Sequence, residues 1–203
     1  MQKVIVFATH NIHKLQEVRA ILSPIGFEVL GGNECQLPDV VETGETFEEN
    51  ARLKAIAGYR VLGKPVMADD SGICIEAMDN RPGVYSARYA EKQGGFPAVF
   101  DVINQEIGNN PNRNAYYVCV IALAFSETEV YTFTGYMRGT LAHFPSGSSG
   151  FGYDPMFIPE GMETTLGHIP AEIKNKFSHR GKALKQVYDF LKRHQTHLFG
   201  ENI

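Results

Sequence analysis

A chain of 203 residues, 43% hydrophobic and 21% charged, has the size and balance of a folded globular protein with a sizeable core. Its net charge of −4 gives no general attraction for a phosphate backbone, which weighs against a nucleic-acid binder but leaves room for a local basic pocket. No apolar run approaches the ~20 residues of a membrane span, and the start Met1-Gln2-Lys3-Val4-Ile5-Val6-Phe7-Ala8 is too short for a signal-peptide core, so a cytoplasmic protein with no membrane partner is expected.

No internal repeat or low-complexity linker divides the chain, so one domain over residues 1–203 is expected. Residues 4–8 are a continuous apolar run of strand length. Thr9, His10 and Asn11 follow with capping chemistry, and Leu15, Val18, Ile21 and Leu22 recur at helical spacing until Pro24 and Gly26 stop the helix. Thr46 and Glu49 have the spacing of a capping box, and Phe47, Ala51, Ala55 and Gly58 continue one face of a second helix. Residues 66–68 and 73–75 read as two short strands on either side of an Asp69-Asp70-Ser71-Gly72 turn. The segment 98–107 predicts a helix with Val99, Val102, Ile103 and Glu106 in register, closed by the turn-forming run Asn109-Asn110-Pro111-Asn112. Residues 116–125 and 130–141, rich in β-branched and aromatic side chains, predict a long antiparallel hairpin. A Ser/Gly-rich loop covers 145–152, and a last helix opens at Ser178 with Leu184, Val187, Tyr188 and Leu191 on one face. This mixture predicts an α/β fold with a mixed sheet. Cys35, Cys74 and Cys119 are scattered and lack any C-x-x-C spacing, so they read as core residues in a reducing compartment.

Four clusters carry possible chemistry. Thr9-His10-Asn11-Ile12-His13-Lys14 lies at a strand's carboxyl end and a helix's amino end, where backbone N–H groups and a lysine can receive an anion. The same residues also describe a capped helix with a solvated lysine, and no Walker loop is present. Asp69 and Asp70 should point to opposite faces of an extended chain, so one can meet a metal or water while the other is held by donors; a turn in which both cap N–H groups is the plainer alternative. An upstream acid among Glu42, Glu45, Glu48 and Glu49, together with one aspartate, would suit Mg²⁺, although most of these glutamates suit a solvated helix start. In Gly150-Phe151-Gly152-Tyr153-Asp154 the glycines let backbone approach a ligand, Phe151 and Tyr153 offer stacking faces and Asp154 an acceptor, against a flexible turn with core aromatics. Lys174, His179 and Arg180 flank Ser178 in a basic turn, where cations near a helix start oppose its dipole unless an anion or polar ligand offsets them. None of the seven histidines makes the H-E-x-x-H of a zinc hydrolase.

Taken together and in this order, these segments resemble the inosine triphosphate pyrophosphatase family, whose members hydrolyse non-standard purine nucleoside triphosphates. The matching stretches are Thr9-x-Asn11-x-x-Lys14, Glu42-Thr43-Gly44-x-Thr46-Phe47-x-Glu49-Asn50-Ala51, Ala68-Asp69-Asp70-Ser71-Gly72, Pro82-Gly83-Val84-Tyr85-Ser86-Ala87-Arg88-Tyr89, Gly150-Phe151-Gly152-Tyr153-Asp154-Pro155 and Lys174-Asn175-x-x-Ser178-His179-Arg180-Gly181. Ile173 and Phe177 depart from the family's usual choices beside these motifs. The resemblance implies an elongated mixed β-sheet flanked by helices, two lobes with a central active-site cleft, a homodimer and dependence on Mg²⁺. It implies cleavage of ITP, dITP and XTP between the α- and β-phosphates, giving the monophosphate and pyrophosphate. Asp70 is implied as the general base and a metal ligand, with Glu42 as a further ligand and Asp69 as a ligand or supporting group. The run from Thr9 through His10, Asn11, Ile12 and His13 to Lys14 is implied on the substrate, as are Ser71 and the loop bearing Phe151, Gly152, Tyr153 and Asp154. Lys174, His179 and Arg180 complete that set. If Arg180 or His179 donates to the purine O6 while Asp154 accepts from N1–H, adenine is refused, because its buried partners would be left unmatched.

Overall fold

Strand β1 (Lys3–Phe7) occupies the apolar run at the start and helix α1 (Ile12–Leu22) the periodic segment after it. This computed structural model describes residues 3–199, with side chains described to residue 194; Met1, Gln2 and residues 200–203 of the expected domain lie outside the described residues. Helix α1 buries Leu15, Val18 and Leu22, then tightens into a 3₁₀ turn carrying Pro24 and ends at Gly26, whose φ of +94° a side-chain-bearing residue rarely adopts. Strand β2 (Phe27–Gly31) and helix α2 (Phe47–Leu62) follow. The capping box forms as expected: the Glu49 amide donates to Thr46 Oγ1, and the Thr46 amide donates to Glu49 Oε2.

The acidic segment corrects the strand–turn–strand expectation. Residues Val66–Ile75 form one unbroken strand, β3, with both aspartates in its middle. A turn is needed only if the carboxylates must reach local donors, and here they reach distant side chains from an extended backbone. Short β4 (Arg81–Pro82) pairs with β3, and helices α3 (Ser86–Lys92) and α4 (Phe96–Ile107) come next. Helix α4 starts two residues before the expected position, with Pro97 in its first turn, and its inward face is Val99, Phe100, Ile103 and Ile107; Glu106 points outward. Strands β5 (Asn114–Ala124) and β6 (Val130–Leu141) are sheet neighbours joined by a short loop, which makes the predicted hairpin. After β7 (Phe157–Pro159), Lys174 lies on a short helix α5 (Ala171–Phe177), not in the expected basic turn, and Ser178 separates it from α6 (His179–Phe199).

The strands form a seven-stranded sheet in the order β2-β1-β3-β5-β6-β7, with β4 against β3. β1 runs parallel to β2 and β3, while β7 runs antiparallel to β6. The fold is therefore α/β with a mixed sheet flanked by helices.

The chain divides into two compact units, one of residues 1–70, 120–135 and 180–203, the other of 71–119 and 136–179. In the first, Val6, Leu37 and Val66 pack together, and α6 buries Ala183, Leu184, Val187 and Leu191. In the second, Ile73, Ile75, Phe100, Ile103, Tyr117, Met137, Met156 and Phe157 belong to one apolar core. Full burial of each such aliphatic or aromatic side chain is worth about 1.5–3 kcal/mol.

Candidate active site

The first unit gathers its charges on both faces of β3. Asp69 turns to one face, where Lys14 Nζ donates to its Oδ1 at 3.1 Å and Arg180 Nη2 and Nε donate to its Oδ2 at 3.0 and 3.3 Å. Arg180 Nη1 also donates to Glu17 Oε2, so charges alternate Lys14–Asp69–Arg180–Glu17. Burial alone would raise the Asp69 carboxyl, but Lys14 and Arg180 outweigh it and hold the group well below the usual carboxylate range. Asp69 is an ionised anchor for two cations, which fits a supporting place better than a metal ligand.

Asp70 turns the opposite way, as alternation along a strand requires. Asn50 Nδ2 donates to its Oδ2 at 3.1 Å, and Lys54 Nζ lies 3.8 Å from its Oδ1. Lys54 also donates to Glu42 Oε1 at 2.5 Å, so one ammonium stands between two carboxylates. Asn50 is itself fixed, its Oδ1 accepting from the Gly44 amide at 2.8 Å. Burial pushes the Asp70 carboxyl up; Lys54 opposes that rise and Glu42 adds to it. Burial would lower the Lys54 ammonium, yet the carboxylates of Asp70, Asp69 and Glu42 hold it above the ordinary lysine value. The two acids of one motif thus have opposite character: Asp69 is locked as an anion, and Asp70 is a more basic carboxylate.

At the start of α1, Asn11 is the N-cap and its Oδ1 accepts from the amides of His13 and Lys14 at 3.0 and 3.2 Å. Thr9 Oγ1 accepts from the Asn11 amide. Two amides of the expected anion site are thus turned to the cap, and Lys14 contributes mainly through its side chain. His10 is tied to the following loop, through Nε2 to Leu37 O and Nδ1 to Asp39, while Ile12 and His13 are exposed.

The second unit holds a different cluster. Asp154 is 1% exposed; its Oδ2 accepts from Lys174 Nζ at 2.6 Å and from the Phe151 amide at 2.9 Å, and its Oδ1 accepts from Tyr117 Oη at 3.3 Å. Gly150, at φ +76°, passes so close that a Cβ there would lie 2.1 Å from Asp154 Oδ2. Lys174 Nζ also sits 4.8 Å from the centroid of half-buried Phe151, a cation–π contact. His179 stacks on Tyr117 with centroids 4.6 Å apart and planes 7° from parallel. Tyr153, by contrast, is turned into the core against Phe96 and Phe100, with its hydroxyl donating to Ser86 O. The stacking face on this loop therefore belongs to Phe151. Gly152 (φ +67°) shapes the loop between them, and Ser71 follows Asp70 on β3.

Sequence reasoning missed Lys54 and Tyr117 as partners of Asp70 and Asp154 and Glu17 as a partner of Arg180, and it gave Asn50 no role. Asn50 and Lys54 stand at i and i+4 on the capping-box helix, a spacing that places both on one face and was legible in advance. Among the described residues, no group of three or more His, Cys, Asp or Glu side chains converges as a preformed metal cage. Two carboxylates converge on Lys54 instead, and that donor set fits a Mg²⁺ ion that draws its remaining ligands from water and phosphate.

The model of the Ham1 family matches residues 5–190. The chain is 43% identical over 180 residues to a protein named dITP/XTP pyrophosphatase from Gluconobacter oxydans, covering 89% of this chain and 86% of that one. It is 40% identical over 186 residues to the protein of that name from Zymomonas mobilis, covering 90% and 89%. Its fold superposes on the Ham1 protein of Staphylococcus aureus with a TM-score of 0.84 and 37% identity, covering 95% of this chain and 100% of that one. Matched along nearly its whole length in sequence and in fold, the chain belongs to the Ham1 family.

Proposed function

We propose that this chain hydrolyses non-standard purine nucleoside triphosphates (ITP, dITP and XTP) to the monophosphate and pyrophosphate, and so clears them from the nucleotide pool. The observation that carries the reading is Asp70: a buried carboxylate, raised in basicity, set between Asn50 and Lys54 and next in sequence to an acid locked by two cations. Such a group can orient a water and take its proton as that water attacks phosphorus. The Asn50 hydrogen bond holds the carboxylate plane in one orientation. Lys14 and Lys54 supply cationic charge for a polyphosphate, and Asp69 keeps Lys14 and Arg180 in place. The relatives' names, which specify dITP and XTP, support the substrate class.

Glu42 and Asp70 would hold a Mg²⁺ ion. When bound, it would neutralise charge developing on the leaving pyrophosphate. In the second unit, Asp154 supplies the acceptor that a 6-oxopurine N1–H requires and that adenine N1, itself an acceptor, does not satisfy. The reading includes a homodimer and a cytoplasmic setting. Among the described residues no helix is long and apolar enough to cross a membrane and no disulfide joins the three cysteines, which suits a reducing compartment.

The test supplies a panel of purine and pyrimidine triphosphates with Mg²⁺ and identifies the products. Pyrophosphate and IMP from ITP, with ATP turned over far more slowly, are expected. Orthophosphate as the product, ATP cleaved as fast as ITP, or a preference for modified pyrimidines would overturn the proposal.

A further inference from the structure

Tyr117 stands outside every motif that carries the family resemblance, yet two members of the second unit's cluster converge on it. It lies on β5 with 7% of its surface exposed. Its hydroxyl donates to Asp154 Oδ1 at 3.3 Å, and its ring is stacked under His179, 7° from parallel. Its ring also packs on Phe157 at 4.8 Å, so the side chain is braced from the core side. Asp154 Oδ2 is held by two short bonds, from Lys174 and the Phe151 amide, whereas Oδ1 receives the longer phenolic one. The phenolic hydrogen bond fixes the direction in which Oδ1 faces. Binding the phenol also directs its proton toward Asp154, which keeps the hydroxyl from turning to serve as a donor for adenine N1.

On the reading of this cluster as the base-binding site, we propose that Tyr117 is a positioning residue for nucleobase discrimination. Its hydroxyl sets the direction of the Asp154 acceptor and its ring fixes the plane of His179, so that acceptor and imidazole meet a 6-oxopurine at a set angle. Tyr117 does not touch the reacting phosphorus, and its loss weakens recognition of the ring without slowing the chemical step. An interaction made equally in ground and transition states appears in KM and leaves kcat alone.

The experiment measures kcat and KM for ITP and ATP in wild type, Tyr117→Phe and Tyr117→Leu, with thermal melts of all three. Tyr117→Phe removes the hydroxyl and keeps the stack: KM for ITP should rise about 10-fold, the scale of a hydrogen bond to a charged group, with kcat held within about 2-fold. The preference for ITP over ATP should fall by a similar factor. Tyr117→Leu, which also removes the stack, should raise KM further, with Tyr117→Phe intermediate. Wild-type KM and preference in Tyr117→Phe would overturn the inference, as would a fall in kcat at constant KM or a lowered melting temperature with kinetics unchanged. Failure of the wild-type enzyme to release pyrophosphate from ITP would instead overturn the functional reading on which this inference rests.

Discussion

The two units solve the cost of burying carboxylates in different ways. In the first, long cationic side chains from helices face Asp69 and Asp70: Lys14 and Arg180 on the one, Lys54 beside the Asn50 amide on the other. In the second, Asp154 accepts from the Lys174 ammonium, a backbone amide and a phenol, beside aromatic faces. Ammonium and guanidinium groups on flexible stems follow charge and tolerate changes of shape, which suits polyphosphate. A short-tethered carboxylate beside stacked rings reads shape and donor pattern, which suits a purine. On the proposed reading one cluster handles charge and the other identity, and the variants that follow should separate those tasks.

The largest effect is expected from Asp70→Asn, which keeps the side chain's size and removes its capacity to take a proton. Pyrophosphate release should fall on the order of 10³-fold, while ITP is still bound in an equilibrium titration. Retained turnover would move the base elsewhere.

Asp69→Asn should act on folding. It leaves half-buried Lys14 and buried Arg180 against a neutral group, and a loss of about 3 kcal/mol is expected in urea denaturation. The pH dependence has a definite sign. The folded Asp69 carboxyl lies below its unfolded value, so its contribution is complete above the unfolded pKa of about 3.9 and is lost as pH falls below it. Wild-type stability should therefore drop through that acid window more steeply than that of the variant. Parallel curves would show that the two cations are not held by Asp69.

Asp154→Asn should act on identity. An amide can present either an acceptor or a donor, so the ITP-to-ATP ratio of kcat/KM should fall about 100-fold. If kcat for ITP falls instead with the ratio intact, the division of tasks between the units fails. The smallest effect is that of Thr46→Ala, which removes one side of the capping box and should cost about 1 kcal/mol in a thermal or denaturant melt.

What was legible in the sequence were features whose causes are local. The Thr46–Glu49 box, the α1 cap at Asn11 and the long β5–β6 hairpin depend on neighbours a few positions away, and each formed where expected. The middle of β3 did not follow from local rules, because turn chemistry at Asp-Asp-Ser-Gly competed with partners far along the chain. Arg180 reaches Asp69 across 111 positions, and Asn50 reaches Asp70 across 20. Tyr117 was hidden for a similar reason: in an aromatic-rich strand, nothing distinguishes a core ring from one whose hydroxyl holds a carboxylate. Alternation along the strand did assign Asp69 and Asp70 to different surroundings, and the pairing partners bear that out.

The capping box on α2 has a geometric consequence beyond its stability. Asn50 and Lys54 stand one turn apart, four and eight residues from Thr46, so the cap sets the rotational phase in which both meet Asp70. Each residue advances a helix by about 100°. One residue inserted between positions 46 and 50 would swing both side chains off the strand, whereas one inserted ahead of Glu42 leaves that phase untouched. The cap works as the zero mark of a protractor, and drift in loop length is tolerated on only one side of it.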